Sequence, residues 1–273
     1  SEGENVTYTY LDAEGDASLL PEYAEQLVAL GPDLIFVNTS PATRAVKEAT
    51  KGTGIPVVYS MVADPLGAGF IGSMMSSGNN LAGTSCAYID VAPKRLEVLI
   101  EMDPTMEKVL IFYRPEDDSG RPCAERIVAK GEEIGVQVIS VPVARKEEIR
   151  DHLLSLSPGD VDAIMDPGDS MVSAALTEWG IERGIELNVI VFMLAEIEAR
   201  KGALASYGVD YVDLGRQSAP IAAKILSGVD PSNIPSEMPR KWLFSINLDT
   251  AARIGLEIPE DVVNRADIII ENQ

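Results

Sequence analysis

The strongest constraint on this chain is its rhythm. Apolar runs of strand length alternate with longer stretches of helical periodicity, almost from end to end. "DLIFVNTS", "IPVVYSMV", "KVLIFYR", "VDAIMDPG" and "NVIVFML" are nearly continuous apolar runs rich in β-branched residues. Strands of that kind are buried on both faces, as in parallel sheets with helices on either side. Between them, "VAPKRLEVLIEMDP", "GRPCAERIVAKGEEIG" and "SMVSAALTEWGIERG" repeat apolar residues at helical spacing. The alternation in "NVTYTYL" (residues 5–11) predicts a first strand, and "DASLLPEYAEQLVALG" a first helix stopped by Gly31. "SPATRAVKEATKG" predicts a helix with Ser40 as N-cap and Pro41 in its first turn. "LAGTSCAYI" predicts another strand. Roughly eleven strands are many for one open sheet. The expectation is α/β: two Rossmann-like lobes with parallel sheets of about five or six strands each. A (βα)₈ barrel is the rival, but the irregular segments at 63–83 and 229–239 break its regularity.

The net charge is −21, from 43 acidic against 22 basic residues. Such a surface repels phosphate backbones and anionic lipid, so no nucleic acid and no membrane surface is expected as a partner. No apolar run is long enough to cross a bilayer as a helix. Cys86 and Cys123 are too few for a disulfide framework; they are two free thiols or one disulfide of an exported protein. The single histidine, His152, sits in the amphipathic "EEIRDHLLSL" and reads as a surface or boundary residue. Zinc sites and Ser-His-Asp triads therefore have little to work with. CxxC, HExxH, GxSxG and GxxxxGK[ST] are all absent, so no enzyme, no metal and no cofactor is expected. The opening "SEGENVTYTY" shows no leader peptide.

One glycine pattern needs separate weighing. In "ADPLGAGFIGS" (residues 63–73), Gly67, Gly69 and Gly72 have the G-x-G-x-x-G spacing of a dinucleotide-binding turn, and Asp90 follows at about the right distance. Such a turn needs its first glycine at the strand end and a full crossover helix behind it. Here Asp64, Pro65 and Leu66 intervene, and the only helix candidate, residues 70–77, is short. The expectation is a loop plus a one- or two-turn helix, not a nucleotide site.

In open parallel sheets ligands bind beyond the carboxyl ends of the strands. Those ends carry Asn38, Thr39 and Ser40 with Thr43 a turn later, then Ser60 and Asp64, then Tyr113. Further on they carry Asp166, Asp169 and Ser170, then Met193, then Tyr207 and Asp210. Hydroxyls, acids and aromatic rings with few bases suit a small polar ligand, one with an ammonium group included. Asp169 is also a natural N-cap, and Asp166 has the same ambiguity.

"SMVADPLGAGFIGSMMSSGNNLAGTS" resembles the S-x-x-DPxGAGf…GgNxTG stretch of the ABC transporter substrate-binding proteins that include tryptophan, tyrosine and phenylalanine receptors. "DAEGDASLLPEYAEQLVALGPDLIFVNTSPATRAVKEATKGTGIPVV", "DPGDSMVSAA", "KGALASYGVDYVDLGRQSAPIAAKILSG" and "FSINLDTAARIGLEIPEDVVNRADIII" are similar to the same family, so the likeness covers nearly the whole chain. It implies a type I periplasmic-binding-protein fold, with a ligand cleft between lobes joined by three crossovers. It implies lobe 1 as residues 1–86 with 207–237, and lobe 2 as 87–206 with 238–273. It also implies an exported periplasmic or lipoprotein-anchored receptor, expected to be a monomer, that delivers its ligand to an ABC permease. The family places residues 38–43 and Asp64 on the first lobe's cleft edge, Tyr113, Asp166, Asp169 and Ser170 on the second, and Tyr207 and Asp210 near the hinge. It normally begins with a strand and helix ahead of "NVTYTY", which this sequence does not contain.

The implied mechanism is hinge closure. The helix start at Ser40 to Thr43 would take a carboxylate, Asp166 or Asp169 an ammonium, and Tyr113 or Tyr207 would stack on a side chain. Two alternatives are a ligand-sensing domain of a signalling receptor and a two-lobed enzyme using a nucleotide cofactor.

Overall fold

The computed structural model describes residues 3–271. Helix α1 (Leu20–Ala29) leads to β1 (Ile35–Asn38), α2 (Ser40–Ala49), β2 (Val57–Val62) and β3 (Leu81–Ser85). The three strands form one parallel sheet in the order β1-β2-β3. The chain then builds α3 (Tyr88–Met102), β4 (Lys108–Tyr113), α4 (Gly120–Ile134), β5 (Gln137–Pro142) and α5 (Lys146–Ser155). After β6 (Ala163–Met165), α6 (Ser170–Ala175) runs through a π turn into α7 (Ile181–Leu187). β7 (Ile190–Met193), α8 (Glu196–Arg200), β8 (Ala205–Val209) and α9 (Tyr211–Leu226) follow, then β9 (Trp242–Asn247), α10 (Leu248–Ile254), α11 (Glu260–Val263) and β10 (Ile268–Ile270). The second sheet has seven strands in the order β10-β9-β8-β7-β6-β4-β5.

Successive side chains of a strand point to opposite faces, and here both faces are apolar. In β4, Val109 and Ile111 pack under α3 and α4, while Leu110 and Phe112 join the core with Ile149 and Leu153 of α5. The small sheet repeats the device. Val57 and Tyr59 of β2 join the core beneath α1 and α2, whereas Val58 with Ala82 packs against Ile221 and Ile225 of α9. Helix α9, from late in the chain, therefore covers the back of a sheet built from its beginning.

The chain passes between the sheets three times, and the passages lie side by side. Ser85 donates its N–H to the Glu237 carbonyl at 2.9 Å, Glu237 donates to Gly83 at 3.0 Å, and Asp210 donates to Lys241 at 3.3 Å. Such adjacent crossings form a compact joint between two bodies.

The structure departs from the sequence reading in four places. Residues 7–13 are irregular rather than a strand, and Tyr8 and Tyr10 are 69% and 81% exposed. A strand needs a ladder partner, and β1, paired only with β2, is the sheet's free edge among the described residues. Residues 70–77 form no helix. Gly72 and Ser73 instead donate to Ser77 and Ser76, closing a tight turn that keeps Phe70 and Ile71 buried. The N-cap of α2 is Thr39, because the Ser40 hydroxyl accepts the Ala63 N–H instead. The sheets have three and seven strands rather than equal shares, and β8 and β9 run antiparallel.

Candidate functional site

The carboxyl ends of β1 and β2 are lined with hydroxyls. Asn38 is exposed. Thr39 holds φ 72° and ψ 155°, a region that residues other than glycine rarely enter and that costs roughly 1–3 kcal/mol. Its N–H donates to the Ser60 carbonyl at 3.1 Å, and its carbonyl accepts the Thr43 hydroxyl at 2.7 Å. No side chain caps α2, so its first turn presents uncapped backbone amides. Thr43 and Ser60 are buried, and Ser60, Thr84 and Ser218 share a hydroxyl chain at 3.1 and 3.0 Å. Asp64 caps its own turn, accepting the Leu66 and Gly67 N–H groups at 3.1 and 2.8 Å. A Cβ on Gly67 would lie 2.2 Å from that carboxylate, which explains a glycine there without any nucleotide.

The ends of the larger sheet are lined with charges. Asp169 caps α6 through the Met171 N–H at 2.9 Å. Both its oxygens also face Arg114, whose Nε lies 3.0 and 2.9 Å away. Arg114 reaches Asp117 as well, at 2.8 Å, so Asp169 is fully buried and fully partnered. Ser170, next to it, is exposed, and Tyr113 is half-buried. Asp210 caps α9 and pairs with Lys241 at 3.0 Å, and these contacts hold its carboxyl below its ordinary range. Tyr207 stacks on Trp242 at 6.1 Å between ring centroids.

The residue that ties these ends together was not among the expected ones. Arg95 of α3 is completely buried. It donates to the Asp166 carbonyl at 2.7 Å, the Tyr207 carbonyl at 3.0 Å and the Met193 carbonyl at 3.2 Å. One side chain thus ties the ends of β6 and β7 to the middle of β8. The sequence carried a signal: Arg95 shares the helix stripe of Ala92, Leu96, Leu99 and Met102, an apolar face on which a lone charge needs buried partners.

Asp166 is equally buried, yet only half satisfied. Its Oδ1 accepts the Gly168 N–H at 2.9 Å; its Oδ2 has no hydrogen bond of ordinary geometry, although the Ser173 hydroxyl, bonded to the Asp169 carbonyl at 3.0 Å, lies close enough to favour the charged carboxylate. Burial pushes its carboxyl up to about 6, against the opposing pull of Arg95. Glu198 in the first turn of α8 is pushed up to about 7, first by burial and then by the charge of Asp166. Tyr88 donates its hydroxyl to that of Tyr211 at 3.3 Å, and burial raises the Tyr88 phenol above its ordinary value. Cys86 and Cys123 are buried free thiols, the former pushed up to about 12 by desolvation.

A groove of about 540 Å³ runs beside these ends, between Leu20 of α1, Pro41 and Ala45 of α2, and the loop from Arg114 to Asp118. Of the residues that the sequence places beyond the strand ends, Arg114, Glu116 and Asp117 after β4 line it; the candidate ligand contacts do not. Arg44 crosses its mouth to Asp118, with Nε to Oδ2 at 2.8 Å.

A model of the family described as ABC transporter substrate binding protein matches residues 1–270. The chain belongs to that family. The family is one of solute-binding proteins, not of enzymes. The chain is 24% identical over 257 residues to the tyrosine-binding protein of Clostridioides difficile strain R20291, covering 94% of this chain and 72% of that protein. The ABC domain from Streptococcus pneumoniae in complex with L-Trp superposes with a TM-score of 0.86 at 26% identity, over 97% of this chain and 90% of that one. The ligand-free, open structure of a substrate binding protein with adhesive properties from Clostridium difficile gives 0.67 at 24% identity, over 100% and 90%. The fold of this substrate-binding protein is thus the two-lobed, type I periplasmic-binding-protein fold, with the cleft between lobes.

Proposed function

We propose that this chain is the extracytoplasmic receptor of an ABC importer and that it binds an amino acid between its lobes. It would work as a monomer and pass the ligand to a membrane permease. The lobes would be the two sheets with their helices, parting near residues 86 and 238 and near residue 210 rather than the expected 206, because β8 of the large sheet runs to Val209, and would close about the three adjacent crossings. Expected ligand contacts come from the uncapped α2 start on one side and the charged strand ends on the other.

The observation that carries this reading is the contrast of polarity at the carboxyl ends of the two sheets, with a groove between α2 and the loop after β4 beside them. An uncapped helix start attracts a carboxylate, and an acidic floor attracts an ammonium. The relatives that bind tyrosine and L-Trp support the ligand class. The better fit to the L-Trp complex than to the open, ligand-free relative, 0.86 against 0.67, supports reading this lobe arrangement as a closed one. The strained backbone of Thr39, at the mouth of the proposed cleft, is of the kind kept at ligand clamps.

Isothermal titration of the folded chain against the twenty standard amino acids tests the proposal. Saturable one-to-one binding of one or a few of them is expected. No binding by any of them overturns the amino-acid reading.

A further inference from the structure

Residues other than glycine with positive φ are few, and they are not scattered. Among the described residues they are Glu14, Thr39, Met61, Ala87 and Asn188. Asn188 ends α7 as an ordinary left-handed cap, and Glu14 sits in an exposed turn. Met61 and Ala87 have no such role. Met61, at φ 58°, lies in a bulge: Tyr59 pairs with Gly83 and Val62 with Ser85, so Ser60 and Met61 stand opposite Thr84 alone. Glycine is the usual residue where a bulge takes positive φ. Here a methionine holds the position, and its half-buried side chain packs against the core of the large sheet. Ala87, at φ 50° and ψ 27°, is the N-cap of α3, where the backbone is normally extended and a polar side chain normally caps. It is buried and lies in the first of the three crossings. The two residues bracket one bonded unit. The Cys86 N–H donates to the Val62 carbonyl at 2.8 Å. The Ser85 hydroxyl donates to the same carbonyl at 3.0 Å and accepts the Ala87 N–H at 2.9 Å. Among the described residues, the other two crossings, near residues 210 and 238, hold no residue of positive φ.

We propose that the first crossing is a sprung joint: the closed arrangement holds Ala87 and Met61 at strained positive φ, and opening releases that strain. The proposal rests on the closed-form reading above and goes beyond it by naming what opposes closure. Rotation of two bodies is absorbed as backbone change at a few loop or element-terminal residues, and strain at such places is kept only where its surroundings impose it. Ala87 is where the chain leaves the small sheet for α3, and Met61 reaches from the small sheet into the core of the large one. Parting the lobes frees both from what holds them. The two ends of Met61 then oppose each other: its side chain favours closure by its apolar contact, and its backbone resists it. Without ligand the joint biases the molecule open, and a bound ligand supplies the difference.

Ala87→Gly is the main test. Glycine adopts positive φ without strain, and its extra freedom in the unfolded chain does not enter an equilibrium between two folded forms. Isothermal titration with whichever of the twenty standard amino acids binds is expected to show A87G roughly five- to thirtyfold tighter than wild type, the size of one relieved left-handed residue. Small-angle X-ray scattering should show the ligand-free wild type more extended than the liganded form, and ligand-free A87G shifted toward the compact one. The second test compares M61A with M61G, which both lack the side chain and differ in strain. M61G should bind tighter than M61A by a similar factor, and this pair carries the test if A87G fails to fold. Equal affinity and equal ligand-free scattering within either folded pair mean that the strain is common to both forms, and overturn the proposal. So does a ligand-free wild type as compact as the liganded one; both outcomes leave the amino-acid reading standing. If no amino acid binds, that reading falls, and ligand-free scattering decides the joint. A more compact A87G supports it, and superimposable curves overturn it.

Discussion

The two sheets end in different chemistry. The small one ends in Thr39, Ser40, Ser60 and an uncapped helix, with buried hydroxyls bonded to one another or to main chain. The large one ends in Arg95, Arg114, Asp166, Asp169 and Glu198, charges held in low dielectric. Neutral hydroxyl networks can be built on a thin sheet because losing one bond costs little. Buried charges need a deep scaffold on every side, and seven strands with two full cores provide it. On the proposed reading, a ligand held between such faces would meet one side that orients it and another that discriminates by charge.

The sharpest way to break this comparison is Arg95→Met. It removes the cation beside Asp166 and three carbonyl partners, and should cost the large lobe about 3–5 kcal/mol. Chemical denaturation followed at Trp179 and Trp242, both in that lobe, should show it. A loss under 1 kcal/mol would mean that the charged ends are not structural.

The next effect is one of pH. The Glu198 carboxyl is raised from 4.5 to about 7, so the folded state holds its proton more tightly than the unfolded state. That contribution is fully present below the unfolded value and is lost as pH rises toward 7. Relative to E198Q, the wild type should therefore lose melting temperature between pH 5 and 7.5. A parallel pair of curves would remove the buried-acid account.

In the small lobe, Tyr59→Phe deletes the buried hydroxyl bonded to Ser236 and should cost only about 1 kcal/mol. A loss as large as that of Arg95→Met would erase the proposed difference between the lobes. Smallest of all is the contact between them. Among the ion pairs of the described residues, Arg44–Asp118 joins α2 to the loop after β4, and both side chains are partly exposed. Arg44→Ala should weaken closure by about 0.2–1 kcal/mol, seen in stopped-flow as ligand release up to about fivefold faster, with the effect fading in high salt.

Much of the architecture was readable because double burial leaves its mark on a strand. β4, β6 and β7 are apolar at consecutive positions, and only a covered parallel sheet uses such runs. The direction of β9 was not readable. "WLFSIN" pairs as well antiparallel with β8 as parallel, and the choice is made by where the chain re-enters the sheet. Residues 5–11 have a strand's alternation, yet alternation records a face to bury and not the presence of a neighbour.

The strand-end residues were found by topology, but their roles were not. Which aspartate is saturated depends on Arg114 reaching across 55 residues to Asp169, a contact that no local spacing encodes. Arg95 is not legible from the strand ends, because its guanidinium arrives from the flank of α3.

The borrowed back of the small sheet fixes an order of assembly. Strands β1 to β3 are complete by Ser85, but Val58 and Ala82 stay uncovered until Ile221, Ile225 and Ile234 arrive. At synthesis rates of about 5–20 residues per second, this apolar face waits roughly 7 to 30 s for its cover. A chain emerging from a ribosome or a translocation pore must therefore carry an unfinished first lobe while the second completes itself. Any factor that shields nascent apolar strands has its target in that interval, and truncation before α9 should yield an insoluble product even though the β1 to β3 sequence is intact.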